Sequence, residues 1–140
     1  MNDPQSPIPS PEMLAAFPPV DPGAVPCGSR LLVQLRSPKT MSAGGIILHA
    51  ETVETEQWNT QIAKVIAVGP LAFKHRDTQI EWKEGAWCKP GDFIRFNKYI
   101  GDRFEVPIDG DNKGLFVIIN DLEVTARVTG DPLSVRAWIV

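Results

Sequence analysis

Two cysteines and two histidines are all the thiol and imidazole ligands this 140-residue chain offers a metal. Cys27 and Cys88 form no CxxC pair, and His49 and His75 stand apart from them and from each other. The four together lack the spacing of a zinc site. No GxSxG, Walker-type or HExxH motif occurs. Glu51, Glu54 and Glu56 read as a solvated acidic run rather than a positioned acid/base pair. Asp109 and Asp111 begin like a calcium loop, but no glutamate follows at the required place, so a turn is expected there. No apolar run is long enough to cross a bilayer, and no secretory signal is visible at the N-terminus. The expectation is a cytoplasmic protein with reduced thiols. A formal net charge of −3 argues against a dedicated nucleic-acid or membrane-surface binder. Phe93, Arg95, Phe96, Lys98 and Tyr99 could suggest a base-stacking platform, but Phe93 and Phe96 fall on opposite faces of a strand. With few convergent groups, the chain is expected not to be an enzyme and to carry no metal.

What is present is β structure. A hydrophobic content of 43% suits one modest globular domain. Residues 1–25 hold seven prolines around the short apolar patch Met13-Leu14-Ala15-Ala16-Phe17. That density limits helix to about one turn and denies a sheet its donors, so a flexible extension is expected, with a proline-rich ligand for an aromatic groove as the sharper alternative. From residue 26 to 128 the pattern is that of short strands. Residues 30–36 place Leu31, Val33 and Leu35 on one face, and Ser37-Pro38 ends the run. Residues 61–68 alternate Ile62, Lys64 and Ile66 with Ala63, Val65 and Ala67, largely apolar on both faces, and Gly69-Pro70 closes them. Residues 71–87 read as a hairpin centred near Arg76-Asp77-Thr78. Lys89-Pro90-Gly91-Asp92 has the composition of a turn with a positive dihedral at its glycine. Strands are then expected at 93–96, 103–106, 115–119 and 122–128, with residues 109–114 as a turn. Residues 129–140 form a C-terminal extension. With no helix-length periodic segment, an all-β barrel is expected.

Between the first two strands lies Ser42-Ala43-Gly44-Gly45-Ile46-Ile47-Leu48, followed by the polar run 51–60. Two glycines before three apolar residues fit either a strand with a glycine turn in front of it or an arm with an apolar tip. A connection this long inside a small barrel is expected to be functional.

Taken in order, these pieces resemble the GroES-type co-chaperonins, the ring-forming lids of group I chaperonins. The resemblance runs over roughly three quarters of the chain. Ser42-Ala43-Gly44-Gly45-Ile46-Ile47-Leu48 is nearly identical to that family's mobile loop. Arg30-Leu31-Leu32-Val33 is similar to its first strand, Ala63-Lys64-Val65-Ile66-Ala67-Val68-Gly69 to its second, and Lys89-Pro90-Gly91-Asp92-Phe93-Ile94-Arg95-Phe96 to its Lys-Val-Gly-Asp strand. Asn97-Lys98-Tyr99-Ile100-Gly101 and Asn120-Asp121 with the finishing strand follow in the same order. Ser29 stands where the family has aspartate, the arm and residues 71–87 are longer than usual, and both tails are extra. These departures resemble co-chaperonins encoded by bacteriophages, which would place the protein in the host cytoplasm.

The resemblance implies a small GroES-like β-barrel with a mobile loop at 37–60 and a roof hairpin at 70–88. It implies that Gly44, Gly45, Ile46, Ile47 and Leu48 bind the chaperonin, and that Phe73, Lys74, His75, Arg76, Asp77 and Tyr99 form the dome. The implied partners are a GroEL-type chaperonin, further copies in a heptamer, and unfolded clients in the chamber, with neither nucleic acid nor membrane. No cofactor is needed, because ATP is bound by the chaperonin. The finishing strand is expected to pair with a neighbour's first strand. The competing readings are a β-barrel that binds single-stranded nucleic acid and a structural phage protein.

Overall fold

The computed structural model describes residues 10–37, 62–97, 100–110 and 112–133. Six antiparallel strands make one sheet: β1 (Arg30–Leu35), β2 (Ile62–Val68), β3 (Phe93–Phe96), β4 (Asp102–Asp109), β5 (Asn112–Asn120) and β6 (Val124–Arg127). Their spatial order is β4-β5-β1-β2-β3-β6. The expected all-β class holds, with one short helix, α1 (Pro11–Ala16), added before the sheet.

Period-2 alternation assigns the two faces. Leu31, Val33 and Leu35 of β1, Ala63 and Val65 of β2, Ile94 and Phe96 of β3, Leu115, Val117 and Ile119 of β5, and Val124 of β6 converge in one buried cluster. The opposite face carries a row that crosses five strands: Phe104 pairs with Phe116, Phe116 with Gln34, Gln34 with Lys64, and Lys64 with Phe93. Phe104 and Phe116 stack with centroids 5.5 Å apart. Leu32, Gln34, Ile62 and Phe116 of this second face are buried.

The N-terminal segment is what buries it. The expectation of a flexible extension therefore needs correcting for residues 10–22. Ser10 caps α1 by accepting a hydrogen bond from the Met13 amide at 3.2 Å, and Pro11 takes the first helical position, where its missing N–H costs nothing. Pro18-Pro19 stops the helix after six residues. Phe17 is buried, with its ring edge-on to Phe93 at 5.1 Å. Gln34 Nε2 donates to the Pro18 carbonyl at 2.8 Å, which satisfies a polar side chain that is only 2% exposed. Proline density kept the helix short, as expected, but the aromatic it delivers has a place to go.

Three strand boundaries also differ from the expectation. β4 and β5 extend toward each other until only residues 110 and 111 separate them. Pro107 is tolerated because β4 is an edge strand, where a missing ladder donor faces outward. The expected strand at 122–128 starts instead with a 3-10 turn, Asp121–Glu123, because the Glu123 carboxylate reaches back to accept from the Asn120 amide at 2.7 Å. Finally, β1 is paired on both sides, with β5 and with β2, so it has no edge to offer a neighbour's finishing strand. Among the described residues, the edges of the sheet belong to β4 and β6.

Candidate functional site

The arm residues Gly44, Gly45, Ile46, Ile47 and Leu48 lie outside the described residues, as does Tyr99. The two roots of the arm are described. Leu35, the last residue of β1, pairs with Ala63 of β2, so residues 36–61 join two adjacent antiparallel strands. Two residues suffice for such a connection. Everything beyond that is not required by the sheet. The first root is held firmly: the Ser37 amide donates to the Ala16 carbonyl at 2.7 Å, and Ser37 Oγ donates to the Lys113 carbonyl at 3.3 Å.

At the opposite end of β2 the chain turns through Gly69. A side chain there would collide with the Gly28 and Arg30 carbonyl oxygens, so only glycine allows this approach. Residues 71–87 then form a compact excursion. The His75 amide donates to the Ile80 carbonyl at 2.7 Å, Trp82 donates to the Phe73 carbonyl at 3.0 Å, and the backbones of Lys74 and Glu81 pair in an isolated antiparallel bridge. The hairpin centre expected near residues 76–78 is therefore correctly located. His75, Arg76 and Asp77 are exposed at its tip and Lys74 is half-buried, whereas Phe73 is 1% exposed and belongs to the core.

Phe73 is the fastening of this excursion. Its φ of 61° is unusual for an aromatic residue. Its amide donates to Asp121 Oδ2 at 2.9 Å, and the Asp121 amide donates to the Ser29 carbonyl at 3.0 Å. Asp121 is 2% exposed, so this carboxylate joins the excursion, the chain before β1 and the turn before β6. Around Phe73 sit Trp82 at 5.6 Å and Trp87 at 6.0 Å, and the two indoles are 4.7 Å apart. Sequence reasoning placed Phe73 in the roof and did not single out Asp121. No local pattern announces a buried aspartate 48 residues away in sequence.

The chemistry of this arrangement is that of attachment. Among the described residues, no three His, Cys, Asp or Glu side chains gather to hold a metal ion. Cys88 is buried, and its thiol is pushed up to about 12 by burial first and by Asp92 second, with Arg127 opposing. Such a thiol is unreactive. No helix among the described residues is long and apolar enough to cross a membrane.

A small antiparallel sheet with a long insertion between β1 and β2 and a fastened excursion after β2 agrees with the small all-β fold that the resemblance to co-chaperonins implies. The chain belongs to the family described as Chaperonin 10 Kd subunit, whose sequence model matches residues 24–128. It is 33% identical over 111 residues to a protein named Co-chaperonin GroES from Methylacidiphilum infernorum (isolate V4), covering 79% of this chain and 99% of that relative. Residues 10–22, which cover the second face of the sheet, precede the family match.

Proposed function

We propose that this co-chaperonin forms a ring-shaped lid on a group I chaperonin and closes its folding chamber in an ATP-dependent cycle. The observation that carries the reading is the insertion of residues 36–61 between adjacent strands that need almost no connection, on a scaffold of the co-chaperonin family. Ile46, Ile47 and Leu48 enter an apolar groove on the chaperonin's apical domain, and Gly44-Gly45 allows the backbone to reshape as they do so. Burying three such side chains contributes on the order of 5 kcal/mol gross per arm, and ordering the arm offsets much of it. A single arm therefore binds weakly. Several arms on one heptameric ring bind well through effective concentration, and the lid can still leave when the chaperonin changes shape.

The exposed tip at His75, Arg76 and Asp77, with Tyr99, faces the dome above the clients. ATP is bound by the chaperonin, so the chain itself works in the cytoplasm without a cofactor, and its family is not a catalytic class. Copies join through the open edges of β4 and β6.

Replacing Ile47 with aspartate tests the arm. We expect Ile47→Asp to lose capture by a group I chaperonin with ATP in a pull-down while thermal melting of the sheet stays unchanged. Capture that survives alongside an unchanged melt would remove the arm from the mechanism.

A further inference from the structure

The end of β1 is held by a contact from outside the family region. Past Leu35 the pairing of β1 with β5 and β2 stops. The next bonds to the strand come from the Ala16 carbonyl, which takes the Ser37 amide at 2.7 Å, and from the Lys113 carbonyl, which takes the Ser37 hydroxyl at 3.3 Å. Ala16 is itself fixed by the buried ring of Phe17 against Phe93 and by the bond from Gln34 to Pro18. Val20 completes the cover by packing beside Gly114, where any side chain would meet its methyl. Residues 10–20 thus join β1, β3 and β5 at the point where the arm departs.

We propose that residues 10–20 are a positioning brace: by docking on the second face of the sheet they fix the site and direction from which the arm leaves β1, and so tighten attachment of the ring to the chaperonin. This rests on the lid reading above. A tether that starts from a fixed point presents its tip at higher effective concentration than one that starts from a loose point, and the gain compounds over the arms of a ring. The coupling is reciprocal, so chaperonin binding holds the segment docked. Phe17, Gln34 and Ser37 are positioning residues in this scheme and touch no chaperonin.

The test uses the full chain with Phe17→Asp, which places a charge in the buried site. Hydrogen exchange at the Ser37 amide reports undocking, and the lid–chaperonin complex with ATP is followed by its dissociation rate. We expect faster exchange at Ser37 and dissociation accelerated by about tenfold or more. A free peptide of residues 38–61 should displace the Phe17→Asp form at a lower concentration than the unaltered chain, because each arm's contact with the groove is the same while the ring is held less tightly. Phe17→Leu, which refills the site, should restore slow dissociation. If the aspartate variant does not fold, Phe17→Ala gives the graded version of the same measurement. Fast Ser37 exchange with unchanged dissociation overturns the brace alone. Failure of the unaltered chain to be captured overturns the lid reading, and the coupling with it.

Discussion

Cys88 shows how much one side chain's surroundings decide. It lies 4% exposed at the end of the aromatic excursion, near Asp92 of the turn before β3. Burial and that carboxylate both disfavour the thiolate, and the thiol is pushed up from 9.0 to about 12. Below pH 9 the thiol is protonated in both folded and unfolded chains and stability does not depend on it. Above pH 9 the unfolded chain releases a proton that the folded chain keeps, so stability falls as pH rises toward 12, by up to about 1.4 kcal/mol for each unit crossed. Urea unfolding between pH 8 and pH 11 checks this: Cys88→Ala should fall less steeply than the unaltered chain. The neighbouring turn was readable in advance. Lys89-Pro90-Gly91-Asp92 demands a positive dihedral at its glycine, and Gly91 has φ 98° with Asp92 bonded back to Lys89 at 3.0 Å. Phe73 was not readable, because nothing in residues 71–75 encodes its positive φ. That conformation is held by Asp121 from the far end of the chain.

Among the elements, those set by local chemistry were legible and those set by tertiary contacts were not. β3 begins where the Pro-Gly turn releases it, and the expected 93–96 agrees with Phe93–Phe96. β4 and β5 outran their expected ends because Gly110 and Pro107 read as loop residues, yet an edge strand with a tight hairpin accommodates both. The helix start Ser10-Pro11-Glu12 was a usable cap signature, and the surrounding prolines hid it. The excursion after β2 is bound to the sheet through Asp121 rather than through a ladder. Asp121→Ala leaves the buried Phe73 amide without its acceptor and should cost about 1–3 kcal/mol in chemical denaturation. The same variant should speed hydrogen exchange at Phe73 and Trp82 before it affects β1 or β5. Uniform loss of protection over the whole sheet would show that the excursion is not a separable unit.

Among the described residues the sheet ends at β4 on one side and at β6 on the other, and residues 10–20 lie over part of its second face. Closing such edges between copies is the economical way to remove unpaired backbone groups. Size-exclusion chromatography with light scattering should therefore give a single ring-sized species, with a melting temperature that rises with protein concentration. A monomer at every concentration would contradict the ring. The apolar alternation on both faces of β2 was visible in the sequence and suggested closure of a barrel on itself. One of those faces proved to be covered in part by residues 10–20.

That covering segment also has a history during synthesis. Residues 10–20 leave the ribosome before their docking platform, which includes Gln34 and Phe93, so they can settle only when most of the sheet has emerged. A segment made before its platform is thus among the last to settle. Throughout that wait Phe17, which the fold buries, is bare beside Met13 and Leu14, and an apolar patch of this kind is an aggregation hazard. Pro11 on one side and Pro18-Pro19 on the other lack backbone donors and so limit how far a strand can extend from the patch. The flanking prolines thus restrict strand pairing during the interval when residues 10–20 have no platform to dock on.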